Sequence, residues 1–87
     1  MRKLFHSILK KQFHEALVHS REKEGATQLK MAQILCMDER SYIDLDHGKT
    51  CCSAITLALF LIYVCEDVDI FLGKLRSEIE SVSDNAA

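Results

Sequence analysis

The side chains that most often carry chemistry are sparse in this chain. Four cysteines stand at Cys36, Cys51, Cys52 and Cys65. They lack the paired short spacings of a zinc site. Cys51 and Cys52 are neighbours whose side chains point in different directions, which suits neither chelation nor an easy disulfide. They read as small apolar fillers, so a redox or metal sensor built on them ranks last among the function classes. His6, His14 and His19 fall on one stretch with irregular spacing and no cysteine nearby, as exposed or half-buried helix residues rather than ligands. No glycine-rich phosphate loop and no serine–histidine–acid motif is present. The sequence therefore offers no catalytic residue, no metal site and no cofactor, and the expectation is that the protein is not an enzyme. What remains is segment 38–46, where Asp38, Glu39, Asp44 and Asp46 surround a single cation, Arg40.

A small domain must position that segment. The chain has 87 residues, 48% hydrophobic and 28% charged, a globular balance near the lower size limit for one unstapled core. It has no proline and only three glycines, Gly25, Gly48 and Gly73, which leans towards helices. The small size favours homodimerisation, since pairing buries apolar surface that one short chain cannot hide. The net charge of −2 is unevenly spread: residues 1–30 hold seven Lys/Arg against three acids, and residues 31–87 hold four against ten. A basic first third on an acidic body could supply local phosphate attraction, or simply be a solvated helix face. Lys10 and Lys11 interrupt the opening apolar stretch before a signal-peptide core forms. The longest uncharged apolar run, Cys51 to Cys65, has 15 residues, too few to span a bilayer, and reads as a buried helix. These features imply a cytoplasmic chain without a membrane partner.

The apolar spacing predicts five helices in one domain, 1–82, followed by a flexible tail, 83–87. The first covers about Lys3 to Lys23, with Phe5, Leu9, Phe13, Ala16, Leu17 and Ser20 on one face, and stops at Gly25. Thr27 caps a short second helix, about Gln28 to Leu35, with Leu29, Met31, Ala32 and Leu35 inward. After Cys36-Met37-Asp38, with Asp38 as cap, a third helix spans Glu39 to His47, burying Tyr42, Leu45 and Ile43 and halting at Gly48. Ser53 caps a fourth, Ala54 to Val64, apolar nearly all round, which must be covered by the other helices or by a partner subunit. Asp67 or Asp69 caps a fifth, about Val68 to Val82, with the stripe Phe71, Leu75, Ile79 and Val82.

Thr27-Gln28, Met31-Ala32, Leu35, the short turn, Tyr42, Leu45-Asp46 and Gly48-Lys49 together resemble the helix-turn-helix of the phage repressor and Cro (XRE) family. The resemblance spans about Phe13 to Val64, with the motif at about 27–49, and implies a compact all-α, five-helix, lambda-repressor-like DNA-binding domain. The first helix is a turn or so longer than is usual there. Each matching residue has a physical reason. Ala32 lies where the second and third helices cross, and Leu35, Met37, Tyr42 and Leu45 fill the wedge behind them. Two departures stand out. Cys36 replaces a common turn glycine and is expected to take positive φ. Asp46 replaces the usual glutamate, and the resemblance implies a partly buried ion pair between it and Arg21.

The resemblance further implies a transcriptional regulator that reads double-stranded DNA as a homodimer, with its third helix in the major groove. Glu39, Arg40, Ser41 and Asp44 would then face base edges, Arg40 donating to guanine and Glu39 accepting from cytosine. Gln28 matches a phosphate-bonding position, and Lys49 and Thr50 match further backbone contacts. Asp38 is accounted for as a cap and Asp46 as half of a pair, which leaves Glu39 and Asp44 to oppose phosphates, so random DNA should bind weakly. Arg2, Lys3, Lys10 and Lys11 add affinity only if the first helix starts near the DNA. The alternative is a protein-interaction module, antitoxin-like or regulator-binding, that keeps the fold and uses its acidic surface for a protein partner. The apolar fourth helix and the fifth are the candidate dimer surface.

Overall fold

The computed structural model of the chain describes residues 1–86, with burial described through Ser83. Five helices follow in order: α1 Arg2–Glu24, α2 Gln28–Ile34, α3 Glu39–Asp46, α4 Ala54–Tyr63 and α5 Val68–Ala86. No strand occurs among the described residues. The starts of α2 to α5 coincide with side chains that satisfy the first free backbone N–H groups. Thr27 accepts from the Lys30 amide at 3.1 Å, Asp38 from Ser41 at 3.0 Å, Ser53 from Thr56 at 3.3 Å and Asp67 from Ile70 at 3.1 Å. Asp67, not Asp69, is thus the cap of α5. α1 stops because Gly25 turns left-handed at φ 65°, letting the Gly25 and Ala26 amides return to the Glu22 and Arg21 carbonyls.

The core is assembled from one or two residues per helix: Phe13 and Leu17 of α1, Met31 and Ala32 of α2 with Leu35 after it, Tyr42 and Leu45 of α3, Phe60 of α4, and Phe71 of α5. Phe60 is the centre of an edge-to-face aromatic chain, 5.0 Å from Phe13 and 5.7 Å from Phe71 between ring centroids. It pins α4 between the two long helices. Ala32 is 1% exposed, as its place between α2 and α3 requires. The long helices run antiparallel. Lys23 at the end of α1 pairs with Glu66 at the start of α5, while Gln12 and Lys74, farther along each, line one groove. Their remaining lengths, with Phe5, Ile8 and Leu9 opposite Leu75, Ile79 and Val82 at half-burial, draw the molecule out to 43 × 23 × 19 Å.

Four expectations change. Leu29 points outward at 50% exposure, because a helix of seven residues has room for only one inward stripe, and Met31, Ala32 and Leu35 occupy it. α4 buries only Thr56 and Phe60; Ile55, Ile62 and Tyr63 stay 66%, 67% and 68% exposed, so the rest of the chain covers one side of it and leaves the other bare. α5 continues past Val82 to Ala86. Of the tail expected at 83–87, Ala87 lies outside the described residues. At the ends of α2, α3 and α4 the residues Leu35, His47 and Val64 serve as C-caps rather than as helical residues. Among the described residues no helix is long and apolar enough to cross a membrane.

Candidate nucleic-acid interface

The third helix is held in place by one buried carboxylate. Asp46 is 6% exposed and accepts from Arg21 Nε at 2.8 Å and Nη2 at 3.3 Å, from Gln28 Nε2 at 3.2 Å and from the Tyr42 hydroxyl at 3.0 Å. The Arg21–Asp46 pair anticipated in the sequence therefore forms, with two more donors on it. Burial by itself would push this carboxyl up, but the bonds from Arg21, Gln28 and Tyr42 outweigh it and hold the pKa below the ordinary value. Burial, then the Asp46 charge, pushes the Tyr42 phenol far above its usual range, so the hydroxyl remains a donor.

A second link uses the backbone of the same residue. His14 Nε2 donates to the Asp46 carbonyl at 2.8 Å, so α1 holds α3 by both the side chain and the carbonyl of its last residue. Gly48, at φ 74°, lies two residues on, and a Cβ there would sit 3.2 Å from the His14 ring. Glycine is required at that point by its backbone angle and by the imidazole. Sequence reasoning treated His14 as an ordinary helix residue. Its spacing of seven from Arg21, two helical turns on one stripe, is the signal that could have found it.

The turn before α3 sets the angle at which it projects. Cys36 takes φ 55°, as expected for a side chain at a glycine-favouring position. Asp38 is consumed as a cap: its two oxygens take the Ser41 amide at 3.0 Å and the Ser41 hydroxyl at 2.7 Å, and those bonds lower its pKa. Ser41 is exposed, but its hydroxyl proton is committed, leaving only acceptor capacity outward. Glu39 and Arg40 are exposed. Asp44 is half-buried and lines a small hollow with Thr50 and Cys51. Lys49 and Thr50 are exposed just beyond α3, and the Lys49 amide donates to the Asp44 carbonyl at 2.9 Å. Gln28 stands apart from this outer face, half-buried with its amide turned to Asp46.

The outer edge of α3 reads Arg40, Asp44, His47 at spacings of four and three, with Ile43 half-buried beside it. His47 and Ile43 were not among the sequence candidates, although their spacing from Arg40 places them there. The thiols do not extend the site. Burial, then Cys51, pushes Cys52 up to about 12, and burial raises Cys65, so neither offers a thiolate. Among the described residues no group of three His, Cys, Asp or Glu side chains could hold a metal ion. No family model, curated protein or solved structure matches the chain.

Proposed function

We propose that this chain is a sequence-specific DNA-binding transcriptional regulator of the lambda-repressor-like, helix-turn-helix kind, cytoplasmic and acting as a homodimer with α3 in the major groove. The observation that carries the reading is the fate of the acids. Of the four carboxylates in 38–46, Asp38 is spent on Ser41 and Asp46 on Arg21, Gln28 and Tyr42, while Asp44 is half-buried beside a small hollow. Glu39 alone is exposed beside Arg40 with no hydrogen bond or ion pair to its carboxylate among the described residues. On that footing Arg40 donates to a guanine edge, Glu39 and Ser41 accept from exocyclic amines, and Asp44 flanks them. Lys49 and Thr50 hold phosphates, and Gln28 supports the site from behind by bracing Asp46. The bare side of α4, Ile55, Ile62 and Tyr63, meets the same side of a second copy, so that two α3 helices read half-sites about 34 Å apart on one duplex face.

The same bare α4 favours a second reading, an interaction module whose main partner is another protein. Selection from a random duplex library at two salt concentrations separates them. An enriched two-fold site that is lost on Arg40→Ala supports the regulator. No enrichment even at low salt rejects it in favour of the module.

A further inference from the structure

α1 extends well past the point where it grips α3, and its free end is basic. Residues 1–14 contain Arg2, Lys3, Lys10 and Lys11 and no acid. None of these four forms an ion pair among the described residues, whereas Lys23 is paired with Glu66 and Arg76 with Glu80. The direction of this end is fixed by two contacts on one stripe of α1: Arg21 on the Asp46 side chain and His14 on the Asp46 carbonyl. At about 100° per residue, Lys10 and Lys3 continue that stripe, four and eleven positions before His14. The next group beyond His14 on α3's side is Gly48, packed on the imidazole, and then exposed Lys49.

We infer that the Lys3–Lys10 stripe of α1 is a second line of contact to the DNA backbone, continuing from Lys49 along one strand; this rests on the reading of the chain as a DNA-binding regulator. At about 1.5 Å per residue the two ammonium stems leave α1 some 10 Å apart, room for about three successive phosphates at about 3.4 Å of axis each. Charge complementarity selects the occupant. α3 itself brings one exposed cation against exposed Glu39, so most of the counterion release must come from elsewhere, and this acid-free stripe is the surface that continues from α3's end. The stripe carries no sequence information; it raises operator and random DNA alike.

The test is the salt dependence of binding to the selected site by the full chain and by Lys3→Ala/Lys10→Ala. Each lost phosphate contact should flatten the slope of log K against log salt by about 0.9, so the double variant loses about 1.8. Operator and random duplex should weaken by the same factor, and Lys3→Arg/Lys10→Arg should keep the wild-type slope. Lys74→Ala on α5 serves as the control with no change. If the alanine variant melts like wild type and keeps its slope, the stripe is overturned while DNA binding stands. If wild type binds no duplex at low salt, the regulator reading falls and the stripe with it.

Discussion

The corner where α1, α2 and α3 meet and the outer side of α4 are opposite solutions to the same small chain. At the corner a single carboxylate collects donors from three helices, and every buried side-chain polar atom among the described residues has a partner. On α4, large apolar side chains lie in water with nothing against them. The corner is satisfied within one chain; the α4 face is left uncovered by it. A domain of this size cannot do both inside one core, since helices as short as α2 and α3 leave little apolar stripe to share. Polar bonds therefore fix the orientation of the projecting helix, and apolar surface is left exposed on α4.

That contrast is most simply broken at Asp46. Asp46→Ala leaves Arg21, Gln28 and Tyr42 buried or half-buried without their acceptor and should cost about 3–5 kcal/mol, lowering the melting temperature by at least about 12 °C in circular dichroism. Arg21→Ala should show the same sign with a smaller drop, about 1.5–3 kcal/mol, because Tyr42 and Gln28 still serve the carboxylate. The corner should also titrate. The folded pKa of Asp46 lies below its unfolded value, so the folded chain binds that proton less readily. Its contribution is full above the unfolded pKa of about 4 and drains away as the pH falls through the lower folded value. The fall in melting temperature below about pH 4 should be shallower in Asp46→Asn, which has no carboxyl to titrate there. An equally steep fall would remove Asp46 from the account.

Cys36→Gly sharpens the comparison from the other side by relieving the turn. A left-handed φ of 55° costs a side chain more than it costs glycine, so the variant should gain about 0.5–1 kcal/mol with its fold unchanged. The smallest effect on the folded chain is expected on α4. Tyr63→Glu replaces an exposed side chain and should move stability by less than about 0.5 kcal/mol at concentrations where the wild type is monomeric. On the proposed homodimer, sedimentation should show the wild type associating at higher concentration and the variant staying monomeric. Unchanged association would place the interface elsewhere.

Local chemistry was readable from the residues; orientation was less so. Thr27, Asp38 and Ser53 act on amides three positions away, so their caps and the starts of α2, α3 and α4 follow from neighbouring letters alone. The positive φ at Cys36 and the Arg21–Asp46 pair came from motif positions rather than from periodicity. Leu29 was misplaced because two turns of helix contain too few apolar positions to fix a face, and burial by Tyr42 and Leu35 decides it. The bare side of α4 was unreadable for a different reason: uniform hydrophobicity has no phase, and only Phe60 in its aromatic chain shows which side turns in. Gln28 reaches Asp46 across 18 residues, a distance over which spacing says nothing, whereas His14, 32 residues away, is marked only by standing two turns before Arg21.

The shared acceptor at Asp46 also governs how the molecule comes apart. Its bonds join segments 4, 18, 25 and 32 residues distant, so no helix of the corner can lift away without stripping a donor from the others. Opening is therefore collective, and the amides of α2 and α3 should exchange with solvent hydrogen as one group, at one free energy.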